Sequence, residues 1–218
     1  MSEPSGGSPA GDPQRVVERG YDKAALTHLE WLKGIEGDPR LDHVDALLRL
    51  LPRRARILEL GCGAGVPVTQ RLAAEHEVTG VDVSRTQLDL ARRLVPDGDF
   101  VQADMNRYDP GGKTFDAVVA VYSISHLPRS THADLFARIA SWLEPGGLFL
   151  ASLGAQGCAD PVEEWLGVPM FFSSFDADEN RRLLHLAGFQ TLVDEVVTMQ
   201  EPEGPATFLW VLLRRGTP

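Results

Sequence analysis

The sequence predicts an α/β fold in which a mostly parallel sheet of seven strands carries helices on both faces. Short apolar runs with strand character alternate with longer segments whose apolar residues recur at helical spacing. Crossover helices join parallel strands and cover both faces of such a sheet. The last two apolar runs are separated by a turn-rich connector without a helix, so we expect the final strand to run antiparallel.

The length of 218 residues suits one domain with a substantial buried core. Residues 1–13 are rich in Ser, Gly and Pro and are predicted to form a disordered tail. Residues 14–218 then form a single domain. We divide it into N-terminal helices over 14–51, a ligand-binding core over 52–153, and a loop with two C-terminal strands over 154–218.

The individual elements follow from apolar periodicity and from the Gly and Pro residues at their boundaries. Ser84 precedes one helical segment as an N-cap, and Gly188 follows another as a C-cap residue. Residues 154–175 are punctuated by Pro and Gly and are predicted as a loop. In chain order, the predicted elements are helices 16–31 and 41–51, strand 57–61, helix 66–75, strand 77–82, helix 85–94, strands 99–103 and 115–122, helix 131–142, strand 148–153, helix 176–187, and strands 190–198 and 207–214.

Composition and charge limit the kinds of molecule that this protein is expected to bind. The formal net charge of −10 would repel a phosphate backbone, and the arginine clusters are short and scattered, so we do not expect nucleic acid as a partner. The two cysteines lie far apart in the chain, which argues against a disulfide framework and fits a cytoplasmic location. We find no apolar run of membrane-spanning length and no metal-ligand spacing. We expect a monomer or homodimer that binds a small molecule.

A glycine-rich turn after the first predicted strand is the most informative local feature. Gly61, Gly63 and Gly65 form a Gly-x-Gly-x-Gly pattern, which allows positive φ angles and close approach of a ligand. The N–H groups at the start of the following helix point toward such a ligand. A dinucleotide fingerprint would need glycine where this chain has Val66. Glu59 would repel a pyrophosphate but would attract the ammonium of an amino-acid moiety.

Acidic residues also stand at the ends of the next two predicted strands. Asp82 ends the second strand, where a carboxylate can accept hydrogen bonds from ribose hydroxyls. Asp104 follows the third strand and either accepts from an exocyclic amine or caps a turn. Met105 beside it offers a soft apolar face to a purine. Because the carboxyl ends of parallel strands meet at one edge, these residues predict a nucleoside-binding site.

Taken together, these motifs resemble the class I S-adenosylmethionine-dependent methyltransferase family, and in particular a bacterial branch that acts on small molecules. The resemblance covers nearly the whole chain after the tail and is specific as a set. It implies a Rossmann-like class I methyltransferase fold with an N-terminal helical lid. The stretches that carry the family resemblance are Tyr21-Asp22, the glycine turn, Val81-Asp82-Val83-Ser84, Gln102-Ala103-Asp104-Met105, Phe115-Asp116-Ala117-Val118-Val119-Ala120 and Leu143-Glu144-Pro145-Gly146-Gly147. The stretches similar to the small-molecule branch are Trp165-Leu166-Gly167-Val168-Pro169-Met170 and Phe208-Leu209-Trp210-Val211.

The same resemblance implies S-adenosyl-L-methionine as the cofactor and S-adenosyl-L-homocysteine as its product. Tyr21 either contacts the cofactor from the lid or packs within its helix, and Cys62 is most simply a small buried filler beside its place in the cofactor motif. The residues expected to bind the cofactor are Tyr21, Glu59, Gly61, Cys62, Gly63, Asp82, Val83, Ala103, Asp104, Met105, Val121 and Tyr122.

The expected contacts with the methyl acceptor lie after the fourth strand and in the 154–175 loop. His126 either orients the nucleophile, takes its proton, or is an ordinary loop histidine. Tyr21 is the second candidate for a catalytic role. The apolar residues of the loop belong either to an acceptor pocket or to the core. The predicted acceptor contacts are Tyr122, His126, Trp165, Met170 and Phe171.

The resemblance predicts a methyltransferase that acts on a small metabolite, as in secondary metabolism. The methyl group would go to a nitrogen or oxygen, and less readily to a carbon, by in-line displacement that depends mainly on positioning. Two alternatives stay open. One is a cofactor-binding enzyme of the same fold with different chemistry, such as a cyclisation, and the other is a non-catalytic cofactor-binding module.

Overall fold

The sheet follows the alternation of the sequence. In the computed structural model, which describes residues 12–216, seven strands form one sheet in the order β3-β2-β1-β4-β5-β9-β8, and β6 pairs with β7 in a separate hairpin. The pairs β1–β2, β2–β3, β1–β4 and β4–β5 are parallel, whereas β9 runs antiparallel to β5 and β8. The strands are β1 (Arg56–Leu60), β2 (Glu77–Asp82), β3 (Asp99–Gln102), β4 (Phe115–Ala120), β5 (Leu143–Gly154), β6 (Val162–Trp165), β7 (Val168–Phe171), β8 (Phe189–Glu201) and β9 (Gly204–Arg215).

Helices cover both faces of the sheet. Successive strand residues point to opposite faces, so Leu58 and Phe149 belong to one buried cluster, and Ile57 and Leu150 belong to the other. No helix within residues 12–216 is long and apolar enough to cross a membrane. The helices are α1 (Pro13–Trp31), α2 (Arg40–Leu48), α3 (Val68–Ala73), α4 (Arg85–Leu94), α5 (His132–Trp142) and α6 (Ala177–Leu186), with 3-10 turns at Leu32–Gly34, Ile124–His126 and Arg129–Thr131.

The predicted fold class is confirmed, and most predicted elements lie within a few residues of their observed bounds. The first helix begins earlier than predicted, because Asp12 caps it and Pro13 occupies its first position. These two residues therefore do not belong to the predicted 1–13 tail, whose residues 1–11 lie outside the described part of the chain. Strand β5 also begins earlier than predicted, because it includes the Pro145-Gly146 turn region.

The predicted 154–175 loop contains a hairpin that the sequence analysis missed. Leu166 and Gly167 have φ angles of 51° and 75°, which are the positive values that a tight hairpin turn requires. Strand β7 then packs beneath α1. At Gly20 a Cβ would lie 2.7 Å from Cε of Met170, so the absence of a side chain there lets the helix approach the strand closely.

Candidate functional site

A cavity of about 680 Å³ opens at the carboxyl ends of the parallel strands. This is the edge at which open α/β sheets bind ligands. Helix α1, the hairpin β6–β7 and the tip of the β8–β9 hairpin contribute to its walls. The cavity therefore joins the glycine turn to segments that are distant in the sequence.

The glycine turn forms the floor of the cavity. Gly61, Gly63 and Gly65 have φ angles of 73°, 54° and 77°. A Cβ at Gly61 would overlap the Cβ of Ser123, and one at Gly65 would lie 3.0 Å from Cγ2 of Val95. At Gly63 the nearest atom to such a Cβ would be 4.0 Å away, so this position leaves open space. The turn thus combines two tightly packed glycines with one that leaves room for a ligand.

Glu59 is a buried carboxylate on the floor of the cavity, with 3% of its surface exposed. The Thr69 hydroxyl donates to its Oε2 at 2.6 Å. Burial raises the pKa of Glu59 to about 8, although the hydrogen bond from Thr69 opposes the shift. One hydrogen bond does not compensate a buried carboxylate fully, so Glu59 is suited to a cationic group such as an ammonium.

Asp82 connects the end of β2 to the glycine turn. Its Oδ2 accepts from the Gly63 N–H at 2.8 Å, and its Oδ1 accepts from the Ser84 N–H at 2.9 Å. Burial raises the pKa of Asp82 to about 6 despite these hydrogen bonds. Each carboxylate oxygen can accept a further hydrogen bond, so the group can also bind hydroxyls at the cavity wall.

The other predicted cofactor residues line the cavity with one exception. Asp104 is not among the lining residues. Its Oδ1 accepts from the Asn106 N–H at 2.8 Å, as in a capped turn, and its Oδ2 lies 3.7 Å from Nε of Arg107. A role for Asp104 in adenine binding stays a prediction. The predicted residues that line the cavity besides those described above are Tyr21, Cys62, Val83, Ala103, Met105, Val121 and Tyr122.

Helix α1 is fastened over the cavity by the Tyr21-Asp22 pair. The Asp22 carboxylate accepts from the Ser84 hydroxyl at 2.6 Å and from the Thr86 N–H at 3.0 Å, which ties α1 to the start of α4. Tyr21 lines the cavity, and its hydroxyl lies 2.8 Å from Nε2 of His126. The two predicted catalytic residues, which are 105 positions apart, are therefore hydrogen-bonded to each other.

The hydrogen bonds of His126 determine which of its ring nitrogens carries the proton. Its Nδ1 lies 2.9 Å from the Phe171 carbonyl oxygen, which can only accept, so Nδ1 carries the hydrogen. Nε2 is then the acceptor for the Tyr21 hydroxyl. Burial lowers the pKa of His126 to about 4, although its hydrogen bond to Phe171 opposes the shift. His126 is therefore a neutral acceptor at physiological pH, and its hydrogen bond from Tyr21 connects it to the cavity.

Aromatic side chains, among them Trp165 and Phe172, form a wall of the cavity that we call the aromatic wall, and two of the predicted acceptor contacts do not belong to it. Trp165 lines the cavity as predicted, but Met170 and Phe171 do not. Both pack beneath α1 in a cluster with Val17 and Ala24, because β7 lies against that helix. Phe172, one residue beyond the strand, lines the cavity instead.

Several cavity residues were not among the predicted site residues. His28 and Trp31 extend the aromatic wall, and burial lowers the pKa of His28 to about 4. Arg40, with 8% of its surface exposed, packs with its guanidinium carbon 4.8 Å from the centre of the Tyr122 ring. Glu201 reaches the cavity from the end of β8. No local pattern marks these residues, because tertiary contacts alone bring them to the cavity.

The donor set fits the cofactor of the predicted family. A buried acid for an ammonium, a second acid at the end of β2 and an open space at Gly63 coincide at one end of the cavity. Within residues 12–216, no group of three or more His, Cys, Asp or Glu side chains is arranged to hold a metal ion.

Comparison with known families and relatives agrees with this geometry. Residues 57–147 match the family described as "Methyltransferase domain". The chain is 32% identical over 155 residues to a malonyl-[acyl-carrier protein] O-methyltransferase of Halalkalibacterium halodurans, covering 64% of this chain and 55% of that protein. It is 33% identical over 100 residues to a trans-aconitate 2-methyltransferase of Escherichia coli (strain 55989 / EAEC), covering 44% and 38%. The chain thus spans about half the length of the first relative and less of the second.

Solved structures share the fold at lower identity. The 1,6-didemethyltoxoflavin-N1-methyltransferase of Burkholderia thailandensis, bound to 1,6-didemethyltoxoflavin and S-adenosylhomocysteine, superposes with a TM-score of 0.72 at 22% identity, covering 97% of this chain and 93% of that one. The [4+2]-cyclase SpnF superposes with a TM-score of 0.70 at 19% identity, covering 97% and 100%. The predicted resemblance to the class I S-adenosylmethionine-dependent methyltransferase family is confirmed, with the family match extending over residues 57–147.

Proposed function

We propose that this protein transfers a methyl group from S-adenosylmethionine to a nitrogen or oxygen of a small metabolite. The observation that carries this proposal is the continuity of the cavity. One cavity joins the acidic glycine-turn region to the hydrogen-bonded Tyr21–His126 pair and to the aromatic wall. Small-ligand sites combine apolar walls with a few directed polar groups in this way.

The floor residues would hold the cofactor. Glu59 would attract its ammonium, Asp82 would accept from its ribose hydroxyls, and Ala103 and Met105 would contact its purine. S-adenosylmethionine, when bound, supplies an electrophilic methyl group carried by a sulfonium. The chain's contribution is then to align the acceptor and to exclude water.

Tyr21 and His126 supply a route for the proton that an N–H or O–H acceptor loses. The Tyr21 hydroxyl donates to Nε2 of His126, so its oxygen is free to accept a hydrogen bond from the acceptor. Burial raises the pKa of Tyr21, which keeps the hydroxyl protonated. As the acceptor's proton moves to the Tyr21 oxygen, the hydroxyl proton can move to His126, whose ring is held by the Phe171 carbonyl.

The relatives support nitrogen or oxygen as the methylated atom, since their names describe O- and N-methyltransferases. The cyclase with the same fold keeps cyclisation as the alternative outcome of the test. We propose further that the protein is cytoplasmic, acts as a monomer or homodimer, and does not act on nucleic acid. Its charge of −10 supports the last point.

Calorimetry and isotope transfer test the proposal. We expect S-adenosylhomocysteine to bind and NAD not to bind. We also expect label from methyl-labelled S-adenosylmethionine to appear in at least one small amine or phenol of an acceptor screen. Tight NAD binding without S-adenosylhomocysteine binding would disprove the cofactor assignment. Cofactor binding with methylation of only tRNA, DNA or protein would disprove the acceptor class, and a cyclised product without label would favour the alternative chemistry.

A matched pair of variants tests the ribose assignment. Asp82→Ala should weaken S-adenosylhomocysteine binding by about 1–3 kcal/mol, because polar partners lose their acceptor. Asp97→Ala removes an exposed acid that is not among the residues lining the cavity and should leave the affinity unchanged. Equal affinities for the two folded variants would contradict the assignment.

A further inference from the structure

Two residues of opposite charge, Arg40 and Glu201, line the same cavity, and the charge of Arg40 acts on Glu201. If the protein acts on a small acceptor as proposed, one of them is placed to recognise it. We infer that Glu201 is this residue and that the acceptor carries a protonated amine or another cationic nitrogen next to an apolar or aromatic body.

The tip of the β8–β9 hairpin holds Glu201 over the cavity. Gln200 and Glu36 exchange two backbone hydrogen bonds of 2.9 and 3.0 Å, which join the tip to the segment between α1 and α2. The Trp31 Nε1–H donates to the Glu203 carboxylate at 2.8 Å. Glu201 lies between these two anchors, so the position of its backbone is well determined.

Across residues 12–216 the Glu201 carboxylate makes neither a hydrogen bond nor an ion pair, although the residue is only partly exposed. The positive charge of Arg40 acts on it without forming an ion pair. Its negative charge acts on both Tyr21 and Tyr122, whose rings come from different walls of the cavity. Burial raises the pKa of Glu201 itself. A half-buried carboxylate without a partner is costly, and a ligand cation would offset that cost.

Arg40, by contrast, is already compensated. Its Nε donates to the Asp38 carboxylate, and the Tyr122 hydroxyl donates to Oδ1 of the same acid at 3.0 Å. The guanidinium also packs on the Tyr122 ring. An anionic acceptor would have to compete with Asp38 for Arg40 and would meet the charge of Glu201.

The rest of this part of the cavity also favours a cation. His28 and His126 are neutral, because burial lowers the pKa of each to about 4. The lining includes two further acids, Glu163 and Glu164. The Trp31 and Trp165 ring centres lie 5.3 Å apart in an edge-to-face arrangement, and Trp165 also packs edge-to-face on Tyr21. Indole faces beside carboxylates are the surroundings that bind organic cations through cation–π contacts.

Three probes of matched shape test this inference on protein saturated with S-adenosylhomocysteine. These are 2-phenylethylamine, 2-phenylethanol and 3-phenylpropionate, which differ in charge at the end of a similar aromatic body. By calorimetry at neutral pH we expect the amine to bind at least about tenfold more tightly than the carboxylate, with the alcohol between them.

A variant and its control locate the preference. Glu201→Gln should weaken amine binding by about tenfold while leaving S-adenosylhomocysteine binding unchanged. Glu195→Gln removes an exposed acid of the same strand, beside His43, and should leave all probe affinities unchanged.

Each other result overturns the inference. A carboxylate probe that binds best would identify Arg40 as the recognition residue. No binding of the amine, or equal amine affinity in wild type and Glu201→Gln, would also disprove it. Because every titration begins with S-adenosylhomocysteine binding, a loss of that first step would count against the proposed function itself. A normal first step without amine preference would count against the acceptor class alone.

Discussion

The two halves of the cavity are built in different ways. The half proposed to bind the cofactor, called the cofactor half below, comes from one contiguous region, in which β1, the glycine turn, β2 and the end of β3 follow each other in the chain. The half proposed to bind the acceptor, called the acceptor half below, combines α1, the Tyr122–His126 segment, the hairpin β6–β7, the start of α2 and the tip of β8–β9. The first half depends on local order within a parallel sheet, whereas the second depends on contacts between distant segments. Such a division lets the acceptor half change while the cofactor half is kept.

The two halves also differ in the core that supports them. The sheet rests on two extensive buried clusters, one on each face. Helix α1 and strand β7 share a smaller cluster that includes Val17, Ala24 and Met170. Elements with few buried apolar contacts open at lower free-energy cost. We therefore expect the cap of α1 and β6–β7 to open for ligand exchange while the sheet stays folded.

The largest expected effect lies in the acceptor half. Tyr21→Phe removes the hydroxyl that donates to His126, so turnover of an N–H or O–H acceptor should fall by about 10²–10⁴ while S-adenosylhomocysteine affinity changes little. Tyr108→Phe removes a hydroxyl outside the cavity and should not alter turnover. Single-turnover measurements with labelled cofactor provide the comparison, and equal rates for the two variants would rule out the proton route.

The proposed proton route through Tyr21 and His126 also sets how the turnover rate depends on pH. Protonated His126 cannot accept from Tyr21, and burial lowers the pKa of His126 to about 4. At a cofactor concentration that saturates the enzyme over the whole pH range, the wild-type rate should therefore not fall near pH 6.5, the usual pKa of histidine, but only as the pH drops toward 4. A rate that falls with a midpoint near 6.5 would contradict this arrangement.

The second effect lies in the cofactor half and concerns stability. Gly61→Ala adds a Cβ at a φ of 73° that would overlap Ser123, so the free energy of unfolding should fall by about 2–5 kcal/mol. Gly111→Ala has a similar φ of 64° but no atom within 4 Å of the new Cβ, so it should cost only about 1–2 kcal/mol. Urea denaturation measures both, and equal losses would show that the packing against Ser123 is unimportant.

The third expected effect is the release of a proton when the cofactor binds. Burial raises the pKa of Glu59 from 4.5 to about 8, so this carboxyl is mostly protonated at pH 7 in the free protein. Because the folded state binds this proton more tightly than the unfolded state, the protonated Glu59 adds to the free energy of unfolding below pH 4.5, and this contribution is lost as the pH rises through about 8. If the cofactor's ammonium binds the ionised form, binding releases a proton, and affinity should rise by up to about tenfold per pH unit from 6 to 8.

Calorimetry in two buffers of different ionisation enthalpy counts that proton. Glu59→Gln cannot ionise, so it should bind more weakly, release no proton and show little pH dependence over the same range. Proton release that persists unchanged in Glu59→Gln would assign the linkage to another group, with Asp82 as the next candidate, because burial raises its pKa to about 6.

The smallest expected effect concerns the N-terminus of helix α1. The Asp12 carboxylate accepts from the Gln14 N–H at 3.1 Å, and the Gln14 side chain donates to the His126 carbonyl at 2.9 Å. Asp12→Ala should lower the free energy of unfolding by about 1 kcal/mol, and it should speed amide hydrogen exchange in the first turn of α1. Asp176→Ala removes the equivalent cap from α6 and should leave exchange in α1 unchanged. Equal hydrogen-exchange rates in α1 for the two variants would mean that the Asp12 N-cap does not stabilise the first turn of α1.

The success of sequence-based prediction follows the same division between the halves. Gly61, Gly63 and Asp82 could be predicted to lie together at one cavity, because strand ends and glycines occur at characteristic spacings in one local region; their role in cofactor binding stays a prediction. The sequence left Met170 open between a core and a pocket, because an apolar residue gives the same pattern in both, and the structure places it in the core. Arg40 and Glu201 were not predicted, since charged residues near turns carry no sequence signal that one will be buried and the other half-buried.

The sequence by itself determined the fold class, the family resemblance and the acidic and glycine residues of the cavity floor. It could do so because alternating apolar periodicity and a strand–glycine–helix turn act over a few residues. Tertiary structure alone decided that Tyr21 meets His126, that α1 and β7 close the cavity, and that Glu201 is left without a partner. These arrangements depend on packing between segments up to 180 positions apart, such as Tyr21 and Glu201, and no local pattern encodes such distances.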